Sequence, residues 1–153
     1  MWIGTGPGIP DHEARGGDVV FSIYAKHMAG VHSVDVEGRY DGLTLREALP
    51  LVVAEIVDAF DPAEVIVFGS VARNEEGPDS DLDLLVVFDE VARAERRELM
   101  VDIRRAIRTF VPVDGVVADL PELRTDRDSV GSAVYWPLRE GEVMYRRPVH
   151  RVG

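Results

Sequence analysis

Cysteine is absent from the 153 residues, which excludes a disulfide scaffold, thiolate metal sites and thiol catalysis. Histidine is sparse, at His12, His27, His32 and His150, and its spacing is unlike that of a metal-ligand set. Lysine occurs once, at Lys26, so positive charge is carried almost wholly by arginine. Basic residues as a whole are in deficit: 17 Lys plus Arg stand against 28 Asp plus Glu, a formal net charge of −11. A nucleic-acid footprint needs clustered cations to neutralise phosphates, so direct binding of DNA or RNA is not expected. No apolar run approaches the roughly 18–20 residues of a membrane span, and the first residues lack the basic-then-apolar order of a secretory signal. The cytoplasm is the expected compartment, with no membrane partner. What the chain does have is 46% hydrophobic residues. At this length folding buries about two-thirds of the exposable surface, enough for one core.

Residues 1–42 read as an N-terminal extension. Its first 18 residues are rich in Gly, Pro and charge without apolar periodicity. Val19 to Tyr24 and Val31 to Val36 are then candidate strands of a hairpin, with a turn over Lys26 to Gly30. From Thr44 the signal strengthens. Thr44 and Glu47 have capping-box spacing, and Leu49, Val52, Val53, Ile56, Val57 and Phe60 recur at helical intervals up to Asp61-Pro62. Pro50 leaves two options, a helix that restarts in its neighbourhood or one kinked there. Strands are expected at Glu64–Phe68, Leu82–Phe88 and Val113–Ala118, with an amphipathic helix over Glu90–Thr109 whose Leu99, Ile103, Ala106, Ile107 and Phe110 face inward. A short helix over Ser129–Glu140 and an edge strand over Val143–Tyr145 complete the pattern. The order predicts an α+β fold for residues 43–146, a small mixed β-sheet with helices packed on it, followed by a tail over 147–153.

Three acids stand out by position. Asp81 and Asp83 lie two apart where the second strand opens, and side chains two apart on a strand share a face. Asp114 is the first acid of the third strand, amid Val113, Val116 and Val117, where an acid is costly to bury unless paired or bound to a cation. If the strands are neighbours, the three carboxylates form an all-oxygen set suited to Mg²⁺ or Mn²⁺ with substrate phosphates as further ligands. Upstream, Gly69 and Ser70 follow the first strand, with Arg73 just beyond. Gly69 permits close backbone approach, Ser70 and the next amides can donate to an anion, and Arg73 can add a charge-assisted contact to phosphate.

The segment FGSVARNEEGPDSDLDLLVVF, with Gly-Ser, ten residues, then Asp-x-Asp, resembles the signature of the DNA polymerase beta-like nucleotidyltransferase superfamily in its minimal form. The resemblance runs from about Leu49 to Tyr145 and implies the polymerase beta-like fold. It further implies that Asp81, Asp83 and Asp114 are catalytic and hold two divalent metal ions, and that Gly69 and Ser70, with Arg73 nearby, bind the triphosphate of ATP. Asp114 would also help deprotonate the acceptor hydroxyl. Family members often read Ala-Arg-Gly where this chain reads Ala72, Arg73 and Asn74, followed by Glu75 and Glu76. Asn accepts left-handed backbone angles better than most residues, so the turn can survive; the added negative charge bears on nucleotide affinity.

Small single-domain members of this family resemble antitoxins that transfer AMP to a tyrosine of a helical toxin encoded beside them, and the length of this chain fits that class. Small-molecule nucleotidyl transfer of the aminoglycoside type, or a non-catalytic binding subunit, are the alternatives. The acidic charge suits a basic protein or a cationic small molecule. Tyr135-Trp136 and Tyr145 read as packing residues, and Arg146, Arg147 and Arg151 as a solvated basic end.

Overall fold

The computed structural model describes residues 30–149. The first helix, α1 (Leu45–Phe60), is capped as its sequence predicts: the Thr44 hydroxyl accepts from the Glu47 N–H at 3.1 Å and the Glu47 carboxylate accepts from the Thr44 N–H at 2.9 Å. One helix runs through Pro50, so the restart option does not hold. It ends at Asp61 in a left-handed conformation (φ 45°), ahead of Pro62. Strand β1 (Glu64–Phe68) follows, then the single turn α2 (Gly69–Ala72), strand β2 (Leu82–Phe88), helix α3 (Arg96–Ala106), strand β3 (Val113–Asp119), two short helices α4 (Leu120–Thr125) and α5 (Tyr135–Glu140), and strand β4 (Glu142–Arg146).

The strands form one sheet in the order β3-β2-β1-β4. β1 is antiparallel to β2 and β4, while β2 and β3 are parallel and joined by the α3 crossover, as parallel neighbours require. This is the α+β architecture with a small mixed sheet that the sequence pattern predicts.

The apolar run of β2 is continuous because helices and loops cover both sheet faces. On one face Val65, Val67, Leu82, Leu84 and Val86 pack against Leu49, Val52 and Ile56 of α1 and Met100 and Ile103 of α3. On the other, Ile66, Leu85, Val87 and Ala118 pack against Val134, Leu120, Leu123 and Leu138. Truncating a fully buried Leu such as Leu84 to Ala is therefore expected to cost about 2–5 kcal/mol.

Several expectations need correction. The helix expected over Glu90–Thr109 is shorter, a 3-10 turn at Arg93–Glu95 leading into α3. Phe110, expected to face inward, is 36% exposed and is covered from one side by His32, with ring centroids 4.4 Å apart. The helix expected from Ser129 forms only from Tyr135, and α4 was not anticipated. In place of a strand at Val31–Val36 there is a single bridge, Val34 with Tyr40. The Asp35 carboxylate accepts from the Glu37 and Arg39 N–H groups, which bends the chain and leaves Val36 exposed. The other half of the expected hairpin, Val19–Tyr24, lies outside the described residues.

Asp119 anchors the junction of β3 with α4. Its carboxylate accepts from the Glu122 N–H at 2.9 Å, capping α4, and from the Val91 N–H at 3.3 Å, and it pairs with Arg96 at 3.0 Å. Burial alone would push this acid up, but those hydrogen bonds and the Arg96 charge outweigh it and hold it below the usual carboxylate range. Such a group contributes stability above the ordinary carboxylate pKa, and that contribution is lost as pH falls through the lowered value. Asp119→Ala is expected to cost about 2–3 kcal/mol in urea unfolding at pH 7, with a smaller penalty toward pH 3. An equal penalty at both pH values would contradict this role.

Candidate active site

Adjacent strands bring the acids together. In the parallel ladder Asp83 is the register partner of Asp114, and directly paired residues share a face. By alternation this is the face that carries Leu85, Val87 and Ala118, and the acids occupy the end of it that the helices leave open. Asp81, just before β2, is exposed, Asp83 is half-buried and Asp114 is exposed. The apolar neighbours of Asp114 in sequence therefore do not bury it, and its charge is met at the surface by the Arg104 guanidinium and its own Gly115 N–H. Burial is the first cause that raises the Asp83 pKa, followed by the negative charges of Asp114 and Asp81. Asp83 thus lies close enough to each of the other two carboxylates to be repelled by it.

Gly69 explains the position of Asp83. Its φ of +69° turns the chain sharply out of β1, and a Cβ built on it would fall 3.1 Å from the Asp83 Cγ and closer still to Oδ2. The absence of a side chain here lets the Asp83 carboxylate sit against the backbone. Ser70 is half-buried, and its hydroxyl makes no hydrogen bond among the described residues. Arg73 donates to Glu75 through Nε at 2.8 Å and to both carboxylate oxygens of Glu140 through Nη1 at 3.1 Å. These partners, Glu75 first, raise the Arg73 pKa and keep the guanidinium charged. Asn74 is left-handed (φ 56°), as its replacement of glycine demands, and its side-chain oxygen accepts from Arg46 at 3.0 Å.

The donor set fits a hard divalent cation in chemistry and backbone register: carboxylate oxygens, paired across two strands, with mutual repulsion that a cation would relieve. Among the described residues no three such side chains converge on one point, and Asp114 is paired with Arg104. Two charged neighbours of the candidate site are not legible in the sequence. Arg104 lies on α3 ten residues before its partner, and Glu140 ends α5, 67 residues after Arg73. Neither belongs to a local motif. Beyond Arg104 a cavity of about 570 Å³ opens between α3 and β3, lined by Arg93, Arg97, Met100 and Val116. The Arg146 and Arg147 side chains of the chain's basic end fold back on Glu64 at 2.8 Å and on Asp89 at 2.5 Å. Trp136 is 60% exposed, with its ring edge-on to Tyr135 at 5.2 Å between centroids.

Residues 51–126 match the family model described as a nucleotidyltransferase domain. The matched span contains Gly69, Ser70, Asp81, Asp83 and Asp114. No curated protein matches the chain in sequence. Among solved structures, the crystal structure of a candidate nucleotidyltransferase from Sulfolobus solfataricus is similar over 94% of each chain, with 22% identity and a TM-score of 0.49.

Proposed function

We propose that this protein is a metal-dependent nucleotidyltransferase that moves AMP from ATP to a hydroxyl group, with a tyrosine of a partner toxin as acceptor and antitoxin action as the outcome. The observation that carries the catalytic part of this reading is the register pairing of Asp83 with Asp114, with Asp81 alongside and Gly69 packed on Asp83. Asp81, Asp83 and Asp114 would hold two Mg²⁺ ions, with Mn²⁺ as a substitute. When bound, such ions polarise the transferred phosphoryl group and neutralise charge on the leaving pyrophosphate.

The chain's own residues supply the rest. Ser70 has an uncommitted hydroxyl to offer a phosphate oxygen, and the Gly69 N–H and Arg73 guanidinium are donors on the same side of the site. In the transfer, the acceptor oxygen forms a bond to the α-phosphorus and the bond from that phosphorus to the pyrophosphate oxygen breaks. The hydroxyl proton passes to a carboxylate, for which Asp114, on the outer strand, is the proposed base. The net charge of −11 favours a basic protein surface as the acceptor's carrier.

The reading predicts pyrophosphate release from ATP that requires a divalent cation and the protein encoded beside this chain, falling by at least about 10²-fold in Asp81→Ala. Wild-type protein that releases no pyrophosphate under those conditions would overturn it in favour of a non-catalytic subunit.

A further inference from the structure

The donors assigned above to the nucleotide's phosphates already hold an anion. The Gly69 N–H donates to Oε1 of Glu140 at 3.3 Å, and Arg73 Nη1 donates to Oε1 and Oε2, both at 3.1 Å. The two acids on Arg73 differ in setting: the Glu75 side chain is 63% exposed, whereas that of Glu140 is 27% exposed. Glu140 is also held in place from behind. The next residue, Gly141, packs so closely on β1 that a Cβ there would lie 2.6 Å from Ile66 Cγ2 and 3.0 Å from the Val67 carbonyl oxygen, which fixes the end of α5 against the sheet. The Glu140 charge also reaches Asp83, where it adds to the repulsion from Asp81 and Asp114. A further carboxylate beside three others is unfavourable unless cations and N–H donors hold it, and Arg73 with Gly69 does so.

We propose that Glu140 is an internal stand-in for a phosphate group, a carboxylate latch that competes with the triphosphate for the Gly69 N–H and the Arg73 guanidinium. Nucleotide reaches these donors only as Glu140 leaves them, and a rotamer change of Glu140 is enough because α5 stays against β1. Arg73 keeps its Glu75 partner when the latch opens and so remains oriented for phosphate. The apparent affinity for triphosphate is lowered by the fraction of molecules in which the latch is open. This inference rests on the nucleotidyltransferase reading.

The test measures binding of two probes, inorganic tripolyphosphate without metal and ATP with Mg²⁺, by calorimetry and by ligand-induced shift of the melting temperature. Wild type, Glu140→Ala and Glu140→Gln are compared, with circular dichroism confirming that each is folded. Glu140→Ala is expected to bind both probes about tenfold more tightly and to show the larger thermal shift. Glu140→Gln should fall between, because its amide oxygen still accepts from the Gly69 N–H but carries no charge. In an Arg73→Ala background the gain from Glu140→Ala should shrink, since only the competition for the Gly69 N–H remains. Equal or weaker binding by folded Glu140→Ala, with wild type binding normally, overturns the latch and leaves the catalytic reading standing. If neither probe binds to any folded form, the donors are not a phosphate site, and the latch falls together with the reading beneath it.

Discussion

Asp83→Asn is expected to lower nucleotidyl transfer by about 10³-fold, the equivalent of several kcal/mol of transition-state stabilisation, while making the ligand-free protein more stable. Both effects come from the same placement. Asp83 is half-buried and faces Asp114 and Asp81, so burial first and those two charges next push its pKa up. A carboxylate with a raised pKa in the folded state binds its proton more tightly there than in the unfolded chain. Stability therefore falls as pH rises from the ordinary carboxylate value through the raised one, and the full cost is present above it. The Asn side chain removes that cost at similar size. The variant should melt higher than wild type at pH 7, with a gain limited to a fraction of about 1 kcal/mol because solvent screens this partly exposed group, and the gain should shrink toward pH 3. Thermal melts of both proteins at the two pH values, beside pyrophosphate assays, check this. A variant that loses both activity and stability at pH 7 would mean that Asp83 is held by compensating partners rather than strained by its neighbours.

The second large effect concerns Gly69. Gly69→Ala places a Cβ against the Asp83 carboxylate at a backbone angle, φ +69°, that side chains rarely adopt. The strain is expected to cost about 1–3 kcal/mol. The larger consequence is displacement of Asp83, for which a shift of about 1 Å can reduce the rate by roughly 10²-fold. Activity should fall even where the variant is fully folded, and most of the loss should appear in kcat. Wild-type kcat in Gly69→Ala would show that the carboxylate is not positioned by this contact.

The parts of the fold legible in the sequence are those whose signal is local. The Thr44 and Glu47 cap, the stripe of Leu49, Val52 and Ile56, and the apolar runs of β1, β2 and β3 all sit within single elements. The adjacency of Asp83 and Asp114 required one assumption, that β2 and β3 are neighbours, and the register bears it out. What escaped depends on contacts distant in sequence or on competition from polar side chains. Asp35 closes a turn where alternating Val34 and Val36 suggest a strand. Asp119 accepts from Glu122 and starts α4 where no apolar periodicity marks a helix. Arg104 and Glu140 reach the site from α3 and α5, and nothing in the local sequence distinguishes them from the many other charged residues on helix surfaces. The candidate acids are thus legible from local spacing, while their charged partners are visible only in three dimensions.

Of the measurements available, the fate of the α-phosphate bears most directly on the proposed chemistry. ATP labelled at the α-phosphorus is incubated with this protein, a divalent cation and the protein encoded beside it, and the partner is then examined for label and for mass. The account predicts label on the partner, a mass increase of whole AMP units, and an equal amount of pyrophosphate released, all lost in Asp83→Asn. Label that stays in free nucleotide while only the γ-phosphate is transferred or released, or an unchanged partner mass, would contradict it.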